Sequence, residues 1–505
     1  MNRSILFIAV FAAVSASAQD LGVYNRALSA FNAGNYDDSA QLFYEVNNSS
    51  TDPDLQNKSQ YYLAASFQKR GMPVSAFVYF DQILRAGKAH PFHLKAVEGL
   101  VNIQDQLDDM YMIPSELNKY YDADAWATLP SEVLARVNYL IATLDYRSAK
   151  LDEGRDFALA VPQDTTVYLK AQYLLGTIYA DPRYPGEATR FDDAIKAFTT
   201  VIDSKLPNQK DDKLTKQLAL LGLGRVHYGL GRYDKSVEAY DQIPRFSKYW
   251  DQALFENGFA RFQNDDLGGG LGSLQALHAP QFAGAFQPES WILKATIYYF
   301  SCLYEESKSA LAAFDEIYLP MSEKLKPLVE GTEQRDPIEY FKLIDARDTD
   351  KVPLAVLNNV RSNERMLGVF SLLKQIEVEK KQLEENSAWR AARLSNDVIT
   401  QLDGIRGGYE VVAGRLARIG LVNAYKSIKG FADTAEIIRF ETSKAEKELA
   451  EAGVDQKAAL RKQALYRPQM PAENWNYWKF QGEFWRDEIG YYQYTLKKCP
   501  GQATE

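Results

Sequence analysis

Small, aromatic and aliphatic residues recur along the first part of the chain at one set of offsets, with polar residues between them. The clearest copy lies at residues 219–244. Counting from Gly224, Gly231 stands seven residues on, Tyr233 nine, Ser236 twelve, Tyr240 sixteen and Ile243 nineteen, and Pro244 closes the run. The pattern predicts two antiparallel helices joined by a tight turn. Gly224 and Ser236 are small enough to let the helices approach closely, Gly231 can take the left-handed conformation that ends a helix, and Tyr233, Tyr240 and Ile243 fill the seam.

The same offsets fall on Ala27, Gly34, Tyr36, Ser39, Phe43 and Val46, and again on Ala64, Gly71, Pro73, Ala76, Phe80 and Ile83. A degenerate copy surrounds Gly99. After residues 110–129, which do not align, come Ala142, Ala149, Leu151, Gly154, Ala158 and Val161. Gly176 opens a copy whose second helix, with Phe191, Ala194, Phe198 and Val201, arrives late behind the loop-like insertion 180–186. A glycine-rich copy follows (Gly258, Asp265, Leu267, Gly270, Leu274, Leu277), in which residues 268–272 read as a loosened or kinked turn. The last clear copy is Ala295, Cys302, Tyr304, Ser307, Leu311 and Phe314; Trp291 precedes Ala295 by one helical turn, and Cys302 replaces the turn glycine. Starts at 142 and 176, and at 224 and 258, lie 34 residues apart.

These offsets, this period and the Trp before the small residue resemble the tetratricopeptide repeat. The resemblance implies an all-α solenoid of about eight helical hairpins that stacks into a superhelix and binds other proteins. It covers residues 19–320. Beyond Pro320 the pattern changes to long amphipathic helices: Met366, Val369, Leu373, Ile376, Lys380 and Leu383 alternate in steps of three and four, as do Leu402, Ile405, Tyr409, Val412, Leu416 and Ile419. Gly407-Gly408 marks a kink or break in the second run, and a third helix is expected at 422–451. Glu377, Glu379, Lys380 and Lys381 are expected to form a solvated face, and intramolecular hairpin packing over 321–465 is favoured over a coiled-coil dimer. Residues 466–505 form an aromatic tail with Trp475, Trp478 and Trp485, either an anchor on the chain's own core or an exposed hot spot.

Composition narrows the function. A chain of 505 residues with 46% hydrophobic content can bury a large core, and a net charge of −9 without a long basic run argues against nucleic acid as a partner. Residues 1–18 read as a secretory signal peptide: Arg3, an apolar stretch from Ile5 to Val14, then Ser15-Ala16-Ser17-Ala18 before Gln19. The apolar stretch is too short to span a bilayer and no Cys follows it, so a soluble periplasmic protein without lipid anchor or membrane span is expected. In an oxidising compartment the two cysteines, Cys302 and Cys499, are either bridged or two separate thiols.

Candidate chemistry is sparse. His90 and His93 are the one close pair of the four histidines, but Pro91 opposes helical ligand spacing and no acidic or thiol cluster accompanies them, so an inter-repeat loop is the better reading. His227 reads as packing or groove lining. No nucleophile elbow, phosphate loop, dinucleotide fingerprint or zinc-protease motif occurs, and neither catalytic residues, metal nor cofactor are expected.

In tetratricopeptide arrays the first helix of each hairpin lines the concave face. The resemblance therefore implies a groove with Tyr61, Gln68, Tyr173, Thr177, Arg225, Tyr228, Phe255, Phe259, Phe262, Thr296, Tyr299 and Phe300 on or near it. Such a groove is aromatic with one cation and suits an extended or helical peptide with apolar side chains; each ring could equally pack between hairpins. A narrower resemblance involves Ile438-Arg-Phe-Glu441, Ala445-Glu-Lys447, and Gly482-Glu-Phe-Trp485 through Asp487-Glu-Ile-Gly-Tyr491 to Cys499. These segments are similar to exported repeat proteins of gliding and predatory delta-class bacteria, among them periplasmic components of the adventurous gliding machinery. That resemblance implies a non-catalytic scaffold with protein partners in the envelope. The alternative is a peptidoglycan-acting factor that uses the solenoid as a frame. Oligomeric state is not legible in the sequence.

Overall fold

A computed structural model describes residues 19–107, 111–184, 190–205, 212–332 and 334–451. The signal-like segment 1–18, Cys499 and the three tail tryptophans lie outside the described residues. The chain forms an all-α solenoid of tetratricopeptide type with a long C-terminal helix, and no strand occurs among the described residues. Its described residues divide into two compact units, 19–171 with 363–416 and 172–362 with 417–451.

The first unit opens with α1 at residues 19–32 and continues through α2 (Tyr36–Ser49), α3 (Pro53–Arg70), α4 (Pro73–Ala86), α5 (His93–Leu107), α6 (Met112–Lys119), the single turn α7 (Ala123–Trp126), α8 (Ser131–Arg147) and α9 (Leu151–Leu159). The second holds most of α10 (Tyr168–Ala180), then α11 (Arg190–Asp203), α12 (Lys213–Gly229), α13 (Tyr233–Asp241), α14 (Trp250–Gln263), α15 (Leu267–Leu277), α16 (Pro288–Phe300), α17 (Tyr304–Val329), α18 (Pro337–Asp345) and α19 (Leu354–Ser362). Helix α20 (Glu364–Glu385) returns to the first unit, and α21 (Arg393–Glu451) contributes 393–416 to the first and 417–451 to the second.

The turn offset is realised in one geometry. Gly34, Gly71, Ala149, Gly231, Asp265 and Cys302 all have positive φ, between 56° and 80°. Each closes its helix by the same pair of bonds: at Gly231 its own N–H reaches Tyr228 O and the Arg232 N–H reaches His227 O, both 2.9 Å; at Cys302 the pair is Cys302 N to Tyr299 O (3.0 Å) and Leu303 N to Tyr298 O (2.9 Å). A left-handed residue followed by this bond pair terminates a helix and satisfies its last carbonyls. The small offset is realised as well. A Cβ on Gly224 would stand 2.6 Å from the Tyr240 ring, and Ser236 Oγ donates to Gly224 O at 2.8 Å. Gly99, in the degenerate copy, lies in α5 with the Phe80 ring filling the place of its missing side chain.

Four expectations are corrected. Residues 268–272 are not a loosened turn: they lie in α15, whose start is capped by Asp266 accepting from the Gly269 N–H at 2.9 Å. A Cβ at Gly270 would meet Gly258 O and Ile297 Cδ1 at 3.3 Å, so glycine here serves close approach to α14 of its own hairpin and to α16 of the next. The last hairpin does not stop at Pro320, because α17 runs through Pro320 and Pro327 with Phe314, Tyr318, Ser322 and Leu325 buried along one side. Gly407-Gly408 is no break, and the two helices expected at 402–419 and 422–451 are parts of α21. Glu379, expected on a solvated face, is fully buried. Its carboxylate accepts from the Val74 N–H (2.9 Å), the Ser75 N–H (2.7 Å) and Ser75 Oγ (2.7 Å), where α4 has no side-chain cap of its own.

The C-terminal helices reuse the repeat's geometry. Ser395 Oγ donates to Leu383 O and Tyr340 OH to Leu328 O, each twelve residues back, the spacing of Ser236 to Gly224 and of Ser307 to Ala295. The Ser395 bond thus repeats, between α20 and the start of α21, the contact made by Ser236 and Ser307 in the hairpins before them.

Candidate protein-binding face

The face is built in the second unit by the first helices of four successive hairpins, α10, α12, α14 and α16. Polar and aromatic contacts join α12, α14 and α16. Arg225 of α12 makes a bidentate pair with Glu256 of α14, with Nε to Oε2 at 2.9 Å and Nη2 to Oε1 at 2.5 Å. Phe262 of α14 meets Phe300 of α16 with ring centroids 5.7 Å apart. Phe255 and Phe259 form an edge-to-face pair at 5.3 Å, and Tyr299 lies 5.5 Å from Phe300 and 6.0 Å from Tyr304. Phe255, Phe259, Phe262, Tyr299 and Phe300 are each half-buried, so their rings both pack and remain partly open to solvent.

The remaining expected residues fall as follows. Tyr173 lies 6.0 Å from Phe198 and carries the Thr177 hydroxyl bond on its carbonyl at 2.9 Å; Thr296 donates likewise to Ile292 O at 2.8 Å. Tyr228 pairs with Tyr233 at 5.4 Å, and burial raises its phenol pKa. Tyr61 and Gln68 belong to the first unit. There Tyr61 is stacked on Phe92 at 4.7 Å with nearly parallel rings, packing between hairpins, and Gln68 offers its carbonyl to the Gly71 N–H.

The expected lone cation is not alone. Glu256 accepts from Arg225, from Tyr240 OH at 3.0 Å and from Gln252 at 3.0 Å. Burial pulls the Arg225 guanidinium down, but Glu256 outweighs it and holds the pKa above its ordinary value. Burial, then the Glu256 charge, drives the Tyr240 phenol strongly up, so it remains a donor. The Arg225 side chain nonetheless keeps 52% of its surface accessible, against 17% for Glu256.

Three groups near α16 carry charge or titrate in ways the repeat pattern did not single out. His278 is stacked on Trp291 at 3.9 Å, with Nε2 2.8 Å from Ser290 Oγ, and burial followed by Lys294 pushes its pKa down to about 3. The Lys294 ammonium sits 5.3 Å above the Trp291 ring, and burial lowers its pKa. Burial raises the Glu289 carboxyl. Neither Lys294 nor Glu289 has an ion-pair partner among the described residues.

A signal for Glu256 did exist. Polar partners recur about one repeat apart: Arg225 with Glu256 at 31 residues, Arg70 with Asp37 and Trp126 with His93 at 33, Arg136 with Asn102 at 34. The last-but-one of these also settles the histidine pair, since His93 Nε2 accepts from Trp126 and His90 Nδ1 from the Phe92 N–H. His227 is buried, and burial lowers its pKa.

A tetratricopeptide repeat family model matches residues 186–249, which contain the Gly224 hairpin and the helix before it. The match supports the tetratricopeptide superfamily. Repeats of this family suggest a protein-interaction scaffold with protein partners, and the family is typically non-catalytic. No curated protein matches the chain. No helix among the described residues is long and apolar enough to cross a membrane.

Proposed function

We propose that this chain is an exported, non-catalytic scaffold that holds protein partners on the aromatic face of α12, α14 and α16, working in the periplasm within a cell-envelope or gliding-motility assembly. The observation that carries the proposal is the half-buried row Phe255, Phe259, Phe262, Tyr299 and Phe300 on neighbouring helices. Aromatic side chains that are already held by packing lose little freedom on binding and dominate the energetics of peptide-binding surfaces. Glu256 engages Nε and Nη2 of Arg225 and so fixes the guanidinium before a partner arrives, while the side chain keeps half of its surface accessible.

Export rests on the layout of residues 1–18, and with it a Cys302–Cys499 disulfide is proposed, since the chain has no other cysteine. The envelope and gliding context rests on the segments around Ile438 and Gly482.

Crosslinking and pull-down from intact cells tests the reading. Partners recovered with the wild-type chain should be lost from a folded F259A/Y299A variant. Unchanged recovery would remove this face from the function. Cell fractionation should place the mature chain, beginning at Gln19, in the periplasm; a cytoplasmic pool with Met1 retained would overturn export.

A further inference from the structure

We infer that the aromatic row on α14 and α16 is covered, in the absence of a partner, by the chain's own C-terminal segment 475–494. The inference rests on the reading that this face receives a protein segment, and adds which segment occupies it first.

The row runs on to a definite place. From Phe262 it passes to Phe300, to Tyr299 and then to Tyr304 at the start of α17, each step 5.5–6.0 Å between ring centroids. The described part of helix α21 runs to that place. Lys308 of α17 grips both Glu446 oxygens at 2.6 and 2.7 Å, and Arg439 pairs with Asp315. Burial raises the Tyr304 phenol pKa, and the charges of Glu446 and Glu448 add to it. The described chain therefore stops, at Glu451, within a few turns of the Tyr304 end of the row; Tyr304 itself is buried, while Tyr299 and Phe300 beside it are half-buried.

Reach and composition fit. An extended chain covers at most about 3.3–3.6 Å per residue, so a linker as long as residues 452–474 can reach well beyond the roughly 8–10 Å between packed helices. A tethered segment meets a neighbouring site at an effective concentration of about millimolar, without competition from dilution. The segment carries Trp475, Trp478, Phe480, Phe484, Trp485 and Tyr491, the residue type that extends a row of half-buried rings by offset or edge contacts. It also carries cations, at Lys479 and Arg486, for Glu289 of α16, which is half-buried, acts on the Tyr228 phenol and has no ion-pair partner among the described residues. A second copy or an outside peptide could use the same rings, but neither is held at the end of the row.

The test uses the full chain with p-benzoylphenylalanine at position 259, and separately at 299, irradiated at low concentration and mapped by mass spectrometry. The expected product has monomer mass and joins the probe to residues 475–494; in a W475A/W478A/W485A background its yield should fall to the unirradiated level. Crosslinks at dimer mass would assign the face to a second copy, and monomer crosslinks confined to the solenoid would leave the row uncovered; either overturns the inference. Repeating the irradiation in intact cells separates it from the scaffold reading. Crosslinks to another protein without any tail product sink the tail and keep the scaffold, whereas tail products in the wild-type chain, with no outside partner captured even in the triple variant that leaves the face open, sink the scaffold.

Discussion

Ser75 and Glu379, 304 residues apart in sequence, are joined by two hydrogen bonds of 2.7 Å, one from the Ser75 N–H and one from its hydroxyl. With the Val74 N–H at 2.9 Å, the Glu379 carboxylate caps the start of α4 from the far end of the chain. The first N–H groups of a helix have no partner within it, and a negative charge there also meets the positive end of the helix dipole.

Removing that carboxylate should therefore unfold more than α20. E379A is expected to lower the stability of the first unit by about 2–3 kcal/mol, the scale of a lost cap plus buried donors left unpaired. Denaturant melts would check it, with S75A costing less because both backbone donors keep their acceptor. Burial raises the Glu379 pKa above its ordinary 4.5 despite the four donors, including Gln375, that oppose it. The folded state thus binds this proton more tightly than the unfolded one, and this contribution to stability falls as pH rises from about 4.5 through the raised value. E379Q should lack that contribution, so the wild-type-minus-variant stability should fall as pH rises across that range.

Gly224→Ala places a methyl group 2.6 Å from the Tyr240 ring. Overpacking of this kind costs about 1–3 kcal/mol. Because Tyr240 OH also holds Glu256, the partner of Arg225, the loss should appear both in thermal melts and as weakened partner capture. Loss of stability with capture unchanged would separate Tyr240 packing from the binding face.

Ala149 closes α8 with φ of 60°, at the offset where Gly34, Gly71 and Gly231 stand in other copies. A left-handed L-residue costs about 1–2 kcal/mol, and glycine returns part of that as extra unfolded-state entropy. Ala149→Gly should raise the stability of the first unit by about 0.5–1 kcal/mol in denaturant melts.

His278 has a folded pKa of about 3 against an ordinary 6.5. It is neutral in the folded chain, and the unfolded chain binds the extra proton between those values, so its contribution is present above pH 6.5 and lost as pH falls toward 3. His278→Phe keeps a ring on Trp291 and cannot titrate. Its stability should vary less with pH across that window than the wild type's, as measured by melts at several pH values.

The repeat hairpins were legible because their constraints are local. A small residue, a left-handed turn and an aromatic at fixed offsets are demanded by the contact of two adjacent helices, and the same demand returns every hairpin. Even Asp265 and Cys302, which look wrong for a left-handed turn, were marked by position alone, and both adopt it. The glycines of α15 misled because composition cannot tell a glycine chosen for a turn from one chosen for close approach to Gly258 and Ile297.

Partnerships across the fold were decided by tertiary structure. Glu379 sits among charged residues that do face solvent, and only the arrival of α4 makes it a cap. Arg225 reads as a free cation until Glu256 is brought alongside by the next hairpin. Pro320 and Gly407-Gly408 read as breaks, yet buried stripes on α17 and a continuous α21 override their weak helix propensity. The sequence by itself determined the unit and its repetition, since each hairpin's packing is set by residues within one period; which charges are buried, paired or left open on the binding face depended on residues one period or hundreds of positions away.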